Sequence, residues 1–124
     1  MSKRFQITLL LLLLPLLILS CGGGSDPAET VHDYLQAKVV SDAEAIRALL
    51  CSEMEAVLER ETMTFQSVSG VELQGVSCER VGDSSKVACE GKIVALYGTE
   101  ETEFPLVSYR VVEEDGEWKW CGEA

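Results

Sequence analysis

The side chains with evident chemistry are five cysteines (Cys21, Cys51, Cys78, Cys89 and Cys121), one histidine (His32) and a large surplus of carboxylates. A tetrahedral zinc site takes four nitrogen or sulfur ligands, commonly from closely spaced cysteine pairs. No C-x-x-C spacing occurs and His32 stands alone, so no metal centre is expected. The same lack removes the usual dithiol motif of redox-active cysteines. A Ser-His-Asp or Cys-His nucleophile needs a histidine at its side, and His32, beside Asp33 near a helix start, reads as a surface residue. No Gly-rich loop follows a strand and opens a helix, so there is no phosphate cradle. The clusters Glu100, Glu101, Glu103 and Glu113, Glu114, Asp115 match no Ca²⁺-loop spacing and read as solvated edges. Trp118 and Trp120 remain as candidate pocket residues for an apolar or sugar ligand, although such a pair is more often core beneath a helix layer. No catalytic set and no cofactor are expected.

The elements that must position these residues are legible from capping and periodicity. Asp26-Pro27-Ala28-Glu29 offers an N-cap, a proline at the first helical position and the reciprocal Glu. Ser41-Asp42-Ala43-Glu44 and Ser52-Glu53-Met54-Glu55 repeat the capping-box pattern. Apolar stripes at helical spacing follow each start: Val31, Tyr34, Leu35 and Val39, then Ile46, Leu49 and Leu50, then Met54, Val57 and Leu58. Three short one-faced helices need a surface to cover. The second half supplies it as strands: Val68 to Cys78, Lys86 to Tyr97, Leu106 to Val112 and Glu117 to Cys121. Gly82-Asp83-Ser84-Ser85 and Asp115-Gly116 are the turns, and Gly98 to Pro105 reads as a solvated connection. On the last strand Trp118 and Trp120 share one face and Lys119 takes the other. The expected fold class is α+β, with three N-terminal helices packed on a curved four-stranded antiparallel sheet.

The chain opens differently. Lys3 and Arg4 precede an Ile7–Leu19 run broken only by Thr8 and Pro15, followed by Ser20 and Cys21. A basic start, a short apolar core and a small residue form the signal-peptide pattern, and the run is too short to span a bilayer as a helix. Ile18-Leu19-Ser20-Cys21 resembles the lipobox of bacterial lipoproteins, whose Cys is lipidated and becomes the first residue after cleavage. The resemblance implies a signal peptide over residues 1–20, a lipidated Cys21 with the Gly22-Gly23-Gly24-Ser25 tether over residues 21–26, and a folded domain over residues 27–124. It also implies a location in the bacterial cell envelope, anchored on the extracytoplasmic side of the membrane. The basic residues beyond the leader number 8 against 21 acidic ones, a balance of −13, which repels nucleic acid.

Setting Cys21 aside leaves four cysteines for an oxidising compartment, and they permit three pairings. Counting outward from a turn centred between Asp83 and Ser84 places Cys78 opposite Cys89, with Cβ atoms about 4.5–5.5 Å apart. Cys51 is then left for Cys121, closing a loop of about 70 residues worth roughly 3–4 kcal/mol. A one-residue bulge would move Cys78 out of register and reopen the other pairings.

Val31-His32-Asp33-Tyr34-Leu35-Gln36-Ala37 followed by Ser41-Asp42-Ala43-Glu44-Ala45-Ile46, with the ending Asp115-Gly116-Glu117-Trp118-Lys119-Trp120-Cys121, resembles the NTF2-like (cystatin-like) cone over about residues 27–121. The resemblance implies a pocket between helices and concave sheet, and often a homodimer through the sheet. Some members are enzymes. Ketosteroid isomerases place a Tyr hydroxyl in that pocket and Tyr34 looks like the matching position, but their general-base Asp has no counterpart in Cys51-Ser52-Glu53-Met54-Glu55. Dehydratase-like members use a pocket His and Asp, and this chain has only His32. The expectation is therefore a lipid-anchored, non-catalytic envelope domain that binds a small ligand or a protein partner. The alternatives are a pocket enzyme of isomerase or dehydratase type resting on Tyr34, and a structural subunit of a larger envelope assembly.

Overall fold

Asp26 starts the first helix, α1 (Pro27–Val39), by accepting the Ala28 N–H on its Oδ1 at 3.0 Å. The computed structural model describes residues 26–124; the expected signal peptide, Cys21 and most of the tether lie outside the described residues. No helix among the described residues is long and apolar enough to cross a membrane.

The expected stripe of α1 is its buried face: Val31, Tyr34, Leu35 and Val39 all lie in the core. The helix ends with Ser41 in the left-handed region (φ 56°). The Ser41 N–H donates to the Lys38 carbonyl and the Asp42 N–H to the Ala37 carbonyl, the bond pair of a Schellman ending. Ser41 is therefore used to close α1 and cannot cap the next helix. Asp42 does so instead, accepting from the Ala45 N–H at 3.1 Å to open α2 (Ala43–Leu49). The expected third capping box also fails. The Ser52 hydroxyl and N–H both bond the Glu114 carboxylate, so Ser52–Val57 runs as a 3₁₀ segment and α3 covers only Leu58–Met63.

The sheet has five antiparallel strands: β1 (Ser69–Arg80), β2 (Lys86–Tyr97), β3 (Glu100–Pro105), β4 (Ser108–Glu114) and β5 (Glu117–Glu123). The order is β1-β2-β4-β5, with β3 also on β2. The third strand expected from sequence is β4, and a further strand that was not expected, β3, precedes it on the same edge of β2. β3 pairs Lys92–Tyr97 of β2, and β4 pairs Lys86–Ala88 further along the same edge. Between those pairings β2 carries three residues and its partner two, and the extra residue forms a bulge. Gly91 sits there with φ 108°. The "solvated connection" was thus a strand: Glu100, Glu101 and Glu103 are exposed, yet their backbones pair with Tyr97, Leu96 and Val94.

Two further register shifts in β1 fall at Gly70 and Gly75, both with positive φ. Glycine reaches this region without Cβ strain, and each bulge bends and twists the sheet. The resulting concavity holds α1, which packs across β1, β2, β4 and β5. Cys78 faces Cys89 in the β1–β2 register and is disulfide-bonded to it, with Cα atoms 4.0 Å apart. Cys51 is bonded to Cys121 (Cα–Cα 5.3 Å), joining the end of α2 to β5. Lys119 is not free on the outer face: its Nζ donates to the Ala48 carbonyl near the end of α2, where a cation meets the negative end of the helix dipole.

Candidate functional site

Tyr34 and Lys38 lie four residues apart on α1, so their side chains leave the same face. Both end on one oxygen of Glu61. The Tyr34 hydroxyl donates to Glu61 Oε1 at 2.5 Å and Lys38 Nζ donates to the same atom at 2.8 Å. Arg60 Nη2 stands 3.7 Å from Oε2. Glu61 comes from α3 and is 5% exposed. It falls three residues after Leu58 and four before Phe65, on the stripe that α3 turns inward. Burial alone would raise the Glu61 pKa. The hydrogen bonds from Lys38 and Tyr34, with the charges of Lys38 and Arg60, outweigh it and hold the carboxyl below its ordinary value. Tyr34 is pushed the other way, first by burial and then by its bond to Glu61 and that group's charge. At neutral pH the phenol keeps its proton and aims it at an ionised carboxylate.

β5 supplies the surface beneath. The Trp120 ring lies flat against Tyr34, with centroids 3.9 Å apart and planes 7° from parallel. Lys38 Nζ stands 6.0 Å from the centre of the indole and Tyr109 of β4 packs at 6.3 Å. The Tyr109 hydroxyl accepts a long bond from the Val107 N–H (3.4 Å). Its pKa is raised by burial, a shift the Val107 bond opposes and the Glu123 charge supports.

These groups form one end of a cavity of about 370 Å³ between the helices and the concave sheet. Leu35, Phe65, Ile93 and Leu106 give it buried apolar walls. Arg60, Thr64, Tyr97, Phe104 and Glu123, all exposed, ring its mouth. Phe104 meets Phe65 and Tyr97 edge to face, at 5.8 and 6.3 Å.

Of the three aromatic residues singled out from sequence, Tyr34 and Trp120 line this cavity and Trp118 does not. Trp118 packs at the edge of the core with the Arg80 guanidinium 4.9 Å over its ring. Both tryptophans belong to the regularly paired part of β5, and the bulge that carries Gly122 (φ 96°) lies beyond Trp120, between it and Glu123. His32 is exposed, 4.0 Å from Asp33. Among the described residues, Cys51, Glu53 and Cys121 are the one close grouping of potential metal ligands. Their sulfurs are joined to each other, and Arg110 occupies the carboxylate at 2.8 Å.

Helices laid into the concave face of a bent antiparallel sheet, over a pocket at one end, define an NTF2-like α+β fold. No protein-family model matches the chain, and no curated protein matches it. Solved structures do. A SEC-C motif containing protein from Rhodopseudomonas palustris superposes with TM-score 0.62 at 16% identity, over 83% of this chain and 81% of that one. A second, from Psychrobacter arcticus, gives 0.58 at 9% identity, over 85% of this chain but 62% of that one. A candidate dehydratase of the NTF2-like family from Streptomyces avermitilis gives 0.57 at 12% identity, over 82% of this chain and 96% of that one. At these identities the likeness is one of fold.

Proposed function

We propose that this chain is an envelope lipoprotein, anchored through Cys21, whose NTF2-like domain binds a small ligand in its cavity without transforming it. One observation carries the binding half: a partly enclosed cavity of about 370 Å³ with apolar and aromatic walls and a few convergent polar groups, within the size range of small-molecule sites. The non-catalytic half rests on the state of those polar groups. A general base should titrate near the working pH, and Glu61 is held below its ordinary value with two donors on one oxygen. An oxyanion donor needs a free proton, and that of Tyr34 is committed to Glu61. The anchor rests on Ile18-Leu19-Ser20-Cys21 and the glycines behind it.

Native mass spectrometry of the protein, extracted in mild detergent from its own membranes, tests both halves. The expected species begins at a diacylglyceryl-bearing Cys21 and retains a small molecule. An unlipidated or uncleaved chain discards the anchor. A specific turnover abolished by Tyr34→Phe discards the non-catalytic assignment.

A further inference from the structure

The two oxygens of Glu61 are used differently. Oε1 takes the Tyr34 and Lys38 donors against α1, whereas Oε2 takes no hydrogen bond among the described residues. Arg60 Nη2 stands off from Oε2 at 3.7 Å, too far for a hydrogen bond. Among the buried and half-buried described residues, the Trp120 indole nitrogen is the one unpaired side-chain nitrogen or oxygen sealed from solvent. Oε2 is unpaired too, so it is not sealed, although Glu61 as a whole is only 5% exposed. Glu61 lines the cavity together with Tyr34, Lys38 and Arg60, the three side chains around its carboxylate. Oε1 is turned to α1 and Oε2 to Arg60 at the mouth, so the uncovered side of the carboxylate is the cavity side. An ionised oxygen is a strong acceptor, and here it stands in an enclosure walled by Leu35, Phe65, Ile93 and Leu106.

Charge and geometry restrict the donor that it can take. Lys38 Nζ already sits 2.8 Å from Oε1 and Arg60 flanks Oε2, so a third cation at this carboxylate would meet two like charges. An anion would meet the carboxylate itself, with Glu123 beyond it. A neutral hydroxyl suits both neighbours. Beside the 3.7 Å gap an oxygen can stand about 2.8 Å from Oε2 and about 2.9 Å from Nη2, donating to the carboxylate and accepting from the guanidinium. The Arg60 side chain is 69% exposed and can follow it. Behind the hydroxyl the walls are apolar, and Phe65, Phe104 and Tyr97, set edge to face, suit a hydrocarbon body.

We propose that the cavity takes a neutral, mainly apolar molecule bearing a hydroxyl, which bridges Glu61 Oε2 and the Arg60 guanidinium. This rests on the binding function proposed above and names its ligand class.

The test uses the full chain, ¹⁵N-labelled and purified in mild detergent, with the Arg60 Nε–H resonance identified by its loss in Arg60→Lys. Four probes that share one phenyl body are titrated in turn: 2-phenylethanol, its methyl ether, 2-phenylethylammonium and phenylacetate. Affinities refer to free probe measured by dialysis, which removes partition into detergent. The alcohol is expected to bind about tenfold more tightly than the ether, the worth of one hydrogen bond to a charged group, and to move the Arg60 Nε–H resonance. In Glu61→Gln that preference should fall to about threefold or less, because the amide oxygen is a neutral acceptor. Alcohol and ether binding equally well would overturn the hydroxyl donor while the binding function stands. A preference that survives unchanged in Glu61→Gln would place the hydroxyl elsewhere and overturn the site. Either ion binding more tightly than the alcohol overturns the neutral class. If none of the four shifts a residue of the cavity, the binding function falls too. Should Glu61→Gln fail to fold, the unmodified chain decides: a bound alcohol that leaves the Arg60 resonance in place overturns the assignment.

Discussion

At the scale of single residues, Glu61 ties the two helices that roof the cavity. Its carboxylate is buried, bonded by Tyr34 and Lys38, and its charge offsets that of Lys38, whose own side chain is only 18% exposed. Breaking such a pair from one side leaves a poorly solvated charge behind, so Glu61→Gln is expected to cost about 3 kcal/mol at neutral pH. The pH dependence has a definite sign. A carboxyl held below its ordinary value of 4.5 contributes stability that is complete well above that pH and is lost as the pH falls through its folded-state value. Urea midpoints of the natural protein and Glu61→Gln should therefore lie far apart at pH 7 and converge below pH 4.5. A gap that does not change with pH would show that Glu61 acts through packing alone. Tyr34→Phe removes one bond to the same carboxylate, worth about 2 kcal/mol. Combined with Glu61→Gln it should cost less than the sum of the two, because they share that bond; strict additivity would contradict the network. In the sequence, Glu61 stands beside Glu59 and Arg60 in a short charged stretch, where one more carboxylate draws no notice. Its spacing from Leu58 and Phe65 was the available signal: a carboxylate on the apolar stripe of a helix. Tyr34 and Trp120 could be singled out as large aromatics on apolar faces, whereas nothing in the order of residues showed that they stack.

At the scale of elements, curvature comes from the glycines inside long strands. Gly91 and Gly75 both have positive φ, but their surroundings differ. A Cβ on Gly91 would stand 2.6 Å from the Gly75 carbonyl oxygen and 2.7 Å from that of Gln74, whereas one on Gly75 would meet nothing within 4 Å. Gly75→Ala should therefore cost only the left-handed conformation, about 1–2 kcal/mol. Gly91→Ala adds a clash with backbone that cannot swing aside, so it should cost about 3 kcal/mol or more. Thermal unfolding of the two variants gives the order directly, and equal losses would mean that the bulge at Gly91 relaxes. The first two helices, β2 and the turns were legible because caps, Gly-Asp and Asp-Gly turns and β-branched runs are local signals. β3 was not legible, for a physical reason. It is a six-residue strand carrying three glutamates and ending in Pro105, a composition that protects an exposed sheet edge and looks like loop when the pairing partner is unseen. The third capping box misled because Ser52 spends its hydroxyl on Glu114, 62 residues away, and no local pattern reports a competitor at that distance.

At the scale of the whole molecule, the two disulfides have unequal tasks. Cys78–Cys89 spans 11 residues across one hairpin whose backbone pairing already holds it. Cys51–Cys121 spans 70 residues and joins the helical half to the last strand. Beside it, the Cys51 N–H donates to the Trp120 carbonyl at 2.9 Å, and Leu50 bridges to Trp120. This crosslink therefore fixes the strand segment that presents the indole to the cavity. The chain-entropy argument gives about 4 kcal/mol for the longer loop against about 3 for the shorter, a difference too small to separate them by stability alone. Function separates them. Replacing Cys51 and Cys121 by alanine should weaken binding in the cavity, because Trp120 loses its attachment to the helices and must be ordered by the ligand at a cost in affinity. Replacing Cys78 and Cys89 by alanine should lower stability comparably while leaving that affinity nearly unchanged. The pair of measurements, made on each double variant at a temperature where both remain folded, is a urea titration and the fraction of protein that retains its small molecule in native mass spectrometry. Equal affinity losses would mean that the cavity responds to overall stability. A loss confined to the Cys51–Cys121 variant would mean that one crosslink holds the floor of the cavity in place against the helices.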